Sequence, residues 1–101
     1  MAFENIPAAR SILAELLETV TISDDLRARL EPLTQGSPVD TMAVGLTAIS
    51  EAEAEGEAIP DELIEWCRNA ALAVAEHGFH GKGDLAEAFL AAHPEEEPQE
   101  Q

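Results

Sequence analysis

The chain has 101 residues, of which 21 are Asp or Glu and only five are Lys or Arg, so its formal net charge is −16. This length suits a single domain with a core of its own, and the abundance of Ala, Leu and Glu predicts an all-α fold, a small bundle of four or five helices. A surface this negative repels nucleic acid and anionic membranes and attracts basic proteins, so we expect no direct binding to nucleic acid or membrane.

Two helices are predicted in the first third of the chain. The first begins after Asn5 and ends at the β-branched residues 19–22, and its apolar residues recur at the helical period. These residues are Ala9, Ile12, Leu13, Leu16, Leu17 and Val20. Ser23 is a favourable N-cap for the second, shorter helix, which is predicted to stop near Pro32.

A third helix is predicted from the turn at residues 34–38 to about Gly56. Ser37 as the N-cap and Pro38 in the first turn mark its start. Gly45 lies in its middle, where glycine costs about 1 kcal/mol relative to Ala, and it therefore predicts the close approach of a neighbouring helix. The predicted inner face consists of Val39, Met42, Ala43, Leu46 and Ile49.

The second half of the chain predicts one long and one short helix. Pro60 opens the fourth helix and Gly78 ends it, and Asp84 is the predicted cap of the fifth. Short connections favour antiparallel neighbours, so residues 1–93 are predicted to form one helical domain, followed by a disordered acidic tail at residues 94–101. The predicted buried residues are Leu63, Trp66, Cys67, Ala70, Ala71 and Val74 in the fourth helix, and Leu85, Ala88, Phe89 and Ala92 in the fifth.

The most informative stretch is residues 51–65, which holds seven acids and no base in a half-chain of net charge −12. Its first part lies at the predicted C-terminal end of the third helix, where the helix dipole disfavours acids, and acids four residues apart repel each other. Because local stability does not explain this pattern, we predict a regulatory protein, an inhibitor or accessory subunit, that docks a basic surface of a partner protein. The predicted partner-binding residues are Glu51, Glu53, Glu55, Glu57, Asp61, Glu62 and Glu65.

Three other interpretations of the acidity remain open. An acid at every second helical residue places one charge per roughly 3 Å of axis, close to the charge spacing of about 3.4 Å along a DNA strand. The protein would then mimic nucleic acid and inhibit a DNA- or RNA-binding enzyme, in the manner of anti-restriction or anti-CRISPR proteins. Alternatively, it is a structural homo-oligomeric subunit, such as a homodimer, assembled through apolar faces. A solvated acidic face without a specific partner, or a host-wide acidic bias as in halophiles, would need no partner at all.

No catalytic motif or cofactor signature is evident, so we expect a non-enzymatic protein without catalytic, cofactor-binding or metal-binding residues. His77 and His80 have the spacing of a shared metal site, with Cys67 upstream, but Gly78 interrupts the helix that would align them. Gly78 and Gly81, which lie on either side of His80, would break the helix that a phosphotransfer histidine requires, so they argue against that role for His80. Structural roles are therefore favoured for these side chains.

Cysteine usage and the first residues indicate the compartment. Cys67 is the only cysteine, which excludes an internal disulfide and favours a reducing environment. The first residues show neither the basic region nor the apolar run of a signal peptide. We therefore expect a cytoplasmic protein.

Overall fold

The computed structural model describes residues 6–93, which form a bundle of five α-helices and, within that range, no strand. The predicted all-α bundle is therefore confirmed. The predicted acidic tail, residues 94–101, lies outside the described residues. The helices are α1 (Ile6–Thr19), α2 (Asp24–Leu30), α3 (Pro38–Ala54), α4 (Asp61–His77) and α5 (Gly83–Ala92), with 3₁₀ turns at Glu31–Gln35 and Phe79–Gly81.

Two serines begin helices as the sequence predicts. The Ser23 hydroxyl accepts a hydrogen bond from the backbone N–H of Leu26 at 3.1 Å, at the start of α2. The Ser37 hydroxyl accepts one from the N–H of Val39 at 3.2 Å, at the start of α3. Each side chain satisfies an N–H that has no partner within its own helix, which is what fixes the first turn.

Two helix boundaries differ from the sequence prediction. Helix α3 ends at Ala54 instead of reaching Gly56, and Gly56 adopts a φ of 101° in the connection that follows. Helix α5 begins at Gly83 without a side-chain cap, and Asp84 lies inside its first turn. Asp84 as the cap is therefore wrong, although its carboxylate still complements the positive end of the helix dipole.

The predicted buried face is fully correct only in α4, and in α3 the predicted inner-face residue Val39 is only partly buried. In α4, which contacts both α3 and α5, all six predicted residues are buried. In α5 the prediction is partly wrong, because Ala88 and Ala92 are exposed whereas Ala86 and Phe89 are buried. In α1 the prediction fails at Ile12, whose side chain is 39% exposed.

Trp66 is the point on which three helices converge. Its side chain projects from α4, is 1% exposed, and donates a hydrogen bond from Nε1 to the carbonyl oxygen of Ala9 in α1 at 3.0 Å. On α3 its ring lies against Gly45, where a Cβ atom would stand 2.9 Å from Cη2 of the indole. The predicted close approach at Gly45 is confirmed, and the neighbour that requires it is a tryptophan ring.

The first prediction tests this contact by replacing Gly45 with alanine. Helix propensity alone favours the change by about 1 kcal/mol, but overpacking a fixed ring costs about 1–3 kcal/mol. Because the hydrogen bond to Ala9 and the surrounding core hold Trp66 in place, we expect Gly45→Ala to lower the free energy of unfolding by about 1 kcal/mol. Urea unfolding followed by Trp66 fluorescence measures it.

Gly83→Ala is the matched control, because no atom lies within 4 Å of the position that its Cβ would occupy. This variant is expected to keep or slightly raise the free energy of unfolding. Equal effects of the two substitutions would show that the ring accommodates a methyl group at residue 45.

Candidate functional site

The seven predicted partner-binding acids lie at one end of the bundle, which we call the acidic end. They occupy the last turn of α3, the connection between α3 and α4, and the first turns of α4. The acidic end consists of Glu51, Glu53, Glu55, Glu57, Asp61, Glu62 and Glu65. The seven acids divide into those that bond to the fold and those that remain free on the surface.

Two of these acids bond to neighbouring elements of the fold. Glu57 accepts hydrogen bonds from the backbone N–H and the hydroxyl of Ser23, both at 3.0 Å, and so ties the connection to the start of α2. Glu53 is partly buried, and its Oε1 lies 2.8 Å from Nε2 of His93 at the end of α5. Since α3 ends before Glu57, the unfavourable helical pairing of Glu53 with Glu57 does not form.

Two further acids form ion pairs on the surface. Glu51 stands 3.7 Å from Arg29 of α2, with its side chain 64% exposed. Glu65 pairs with Arg68 one turn along α4, with its side chain 51% exposed. Exposed pairs of this kind contribute little to stability, because water and salt screen them. Both carboxylates therefore remain accessible to a partner.

The remaining three acids, Glu55, Asp61 and Glu62, are exposed and form no ion pair or side-chain hydrogen bond with the rest of residues 6–93. Asp61 and Glu62 lie in the first turn of α4, where the helix dipole favours a negative charge. Glu55 lies at the C-terminal end of α3, where the helix dipole disfavours a negative charge. Glu55 is therefore the acid of this end whose position the local structure does not explain.

A shallow groove with a volume of about 500 Å³ runs from the acidic end between α1 and α4, and we call it the α1–α4 groove. Ile12 and Leu16 of α1 and the buried ring of Trp66 supply its apolar floor. Its α4 side is lined by Asp61, Glu62, Glu65 and Asn69. The groove thus combines exposed apolar surface with carboxylates that belong to the acidic end.

The sequence prediction missed this groove because it assigned Ile12 and Leu16 to the core. The apolar stripe of α1 contains two adjacent rows, one through Leu13 and Leu17 and one through Ile12 and Leu16. The first row is buried, whereas Ile12 is exposed and Leu16 only partly covered. The signal available in the sequence was the width of the apolar stripe of α1. A stripe of two rows is wider than the surface that one row of helix contacts covers.

His77 and His80 each contact a neighbouring side chain. His80 Nε2 lies 2.6 Å from Asp40 Oδ1, which joins the turn before α5 to the start of α3. His77 stacks on Phe79 with a ring-centroid distance of 5.1 Å. Among residues 6–93, no group of three or more His, Cys, Asp or Glu side chains is placed to hold a metal ion.

Cys67 is completely buried in the core. Burial raises the pKa of its thiol well above the usual value, and the negative charge of Glu53 raises the pKa further. The thiolate is the nucleophilic and metal-binding form of cysteine, and this environment disfavours it. Cys67 therefore contributes to the structure as a small apolar side chain.

Comparisons of the chain with protein-family models, with curated proteins and with solved structures found no match. Within residues 6–93, none of the helices combines the length and the apolar composition needed to cross a lipid bilayer. The charge, exposure and shape of the acidic end and the α1–α4 groove are therefore the features that bear on function.

Two acids of the connection make a matched pair for a second prediction. Glu57→Ala removes both acceptors of the Ser23 bonds, and we expect it to lower the free energy of unfolding by about 1 kcal/mol, as the loss of a helix cap does. Glu55→Ala removes an unpaired acid from a helix C-terminus and should leave stability unchanged or slightly higher. Urea unfolding compares them, and a loss of stability in Glu55→Ala as large as that in Glu57→Ala would contradict the assignment.

The environment of Cys67 gives a third prediction. Because its raised pKa keeps the thiol protonated and the core shields it, the folded protein should react with a thiol reagent such as DTNB far more slowly than the chain in urea at pH 8. Unfolding restores the ordinary pKa and exposes the sulfur, so the rate should rise along the unfolding curve. A folded-state rate equal to the unfolded one would refute the burial.

Proposed function

We propose that the protein is a non-enzymatic binding protein, a small inhibitor or accessory subunit, that docks a basic surface of a partner protein through its acidic end. The observation that carries this proposal is the exposure of Glu55, Asp61 and Glu62, which no cation among residues 6–93 neutralises. They lie in a stretch of seven acids and no base. A basic partner would supply the missing positive charge.

The field around the acidic end favours such an encounter. The C-terminal end of the α3 dipole adds negative potential beside Glu51 and Glu55, and the chain as a whole carries a net charge of −16. Charge of one sign steers an oppositely charged partner and accelerates association. Because salt screens exposed charges over about 10 Å, binding should weaken as the salt concentration rises.

The directions of the carboxylates favour a protein surface over imitation of a nucleic-acid strand. Side chains two residues apart on a helix differ by a rotation of about 200° around the helix axis, so they project from nearly opposite sides. Accordingly Glu51 faces Arg29 of α2, whereas Glu53 faces His93 at the end of α5. Glu57 lies beyond the helix. These acids form no single row of charges with the spacing of phosphates.

A cytoplasmic location is part of this proposal. The single cysteine, Cys67, is buried as a free thiol, a state that a reducing compartment preserves.

The proposal is tested with two variants of equal net charge. The first carries Glu51→Gln, Glu55→Gln, Asp61→Asn and Glu62→Gln. The control carries Gln in place of four exposed acids elsewhere, namely Glu15, Glu18, Glu76 and Glu87. Each protein is used to capture partners from host extract at about 50 mM and about 500 mM NaCl, which spans strong to weak screening.

We expect wild type and the control to retain a basic protein at low salt and to release it at high salt, whereas the first variant fails to retain it. Equal retention by all three proteins would remove the acidic end as the docking site. Equal loss in both variants would show that net charge alone is responsible. Thermal unfolding verifies that both variants remain folded.

A further inference from the structure

The α1–α4 groove exposes apolar surface that the other helices of residues 6–93 leave uncovered. Ile12 is 39% exposed beside the partly buried Leu16, and the ring of Trp66 lies beneath them. Ile12 and Leu16 are one turn apart, and the α4 wall from Glu62 to Asn69 extends for about 10 Å. Two turns of a partner helix, with apolar residues at positions i, i+3 or i+4, and i+7, match these dimensions.

The α4 wall of the groove offers hydrogen-bond acceptors. Among residues 6–93, no cation pairs with the exposed carboxylates of Asp61 and Glu62, and Glu65 pairs only with Arg68. Asn69 lines the same wall, and its Oδ1 is buried and makes no hydrogen bond within the described residues. Carboxylates accept their strongest hydrogen bonds from ammonium and guanidinium groups. The wall therefore complements Lys and Arg side chains.

Charge argues against two candidate occupants. A second copy of this chain would bring a net charge of −16 to an acidic wall, and residues 94–101 contain four acids and no base. The acidic wall repels both the second copy and residues 94–101 at close range. A basic helix from another protein satisfies the floor and the wall together.

We propose that the α1–α4 groove seats an amphipathic basic helix of a partner protein. Its apolar edge packs on Ile12 and Leu16, and Lys or Arg residues one turn apart along its flank reach Asp61, Glu62 and Glu65. This inference rests on the proposed function and deepens it, because it identifies the part of the acidic surface that recognises shape. The acids outside the groove, such as Glu51 and Glu55, contribute attraction without selecting a helix.

The test uses two synthetic peptides of about 16 residues, long enough for several helical turns. One places Leu at the helical period and Lys on the flanks, and the other has the same composition in scrambled order. Binding is measured by calorimetry, and backbone amide shifts of the ¹⁵N-labelled wild-type protein locate the site. We expect the shifts to concentrate at Ile12, Leu16 and Asn69, and the scrambled peptide to bind about tenfold more weakly.

Matched variants separate the apolar contact from the charge. Ile12→Ser should weaken the patterned peptide about tenfold, whereas Val44→Ser, which alters a residue of similar exposure (43%) outside the groove, should leave its affinity unchanged. Asp61→Asn with Glu62→Gln should weaken it more than Glu51→Gln with Glu55→Gln. If Ile12→Ser fails to fold, the backbone amide shifts of the wild-type protein still show whether the peptide binds in the groove.

Equal binding of both peptides, with shifts spread over the acidic end and no effect of Ile12→Ser, would overturn the groove while leaving the proposed function in place. Retention of a natural basic partner by the variant with four neutralised acids would instead overturn the proposed function. A dimer of the wild type that Ile12→Ser dissociates would show that a second copy occupies the groove.

Discussion

The position of the Trp66 ring between α1 and α3 is the constraint on which the rest of the bundle depends. Its Nε1 bonds to the Ala9 carbonyl, which fixes α1 against α4. Its other edge occupies the space that the absent side chain of Gly45 leaves on α3. An indole buried without a hydrogen-bond acceptor, or a Cβ at residue 45, would destabilise this arrangement. One side chain thus sets the relative placement of three helices in a core otherwise composed mainly of Ala and Leu.

The distribution of charge follows from that scaffold. The clustered acids lie at the end of α3, in the connection that follows and at the start of α4, and two of them form hydrogen bonds with other parts of the fold. Glu57 secures the start of α2 through Ser23, and Glu53 reaches His93 at the end of α5. Stability therefore accounts for part of the acidic stretch. The carboxylates left unpaired within residues 6–93 are exposed, where the proposed partner could reach them.

Local rules explain what the sequence predicted and where prediction stopped. The serine caps and the Gly78 helix end were predictable because each depends on a few neighbouring residues. The burial of α4 was predictable because its six core residues form one stripe. By contrast, the bond from Glu57 to Ser23 spans 34 residues, and no periodicity encodes it. The exposed Ala88 and Ala92 were misplaced because alanine is compatible with either face of a helix.

The groove is a consequence of how α4 is surrounded. Helix α4 packs most extensively on α5 and α3, and α1 packs more extensively on α3 than on α4. The row of Ile12 and Leu16 on α1 and the row through Glu62, Glu65 and Asn69 on α4 therefore line a groove that no other helix of residues 6–93 covers. An internal helix at this place would have to neutralise acids that the chain has too few bases to match, since it holds 21 acids and five bases. The proposed partner helix would supply the positive charge that residues 6–93 do not place at this wall.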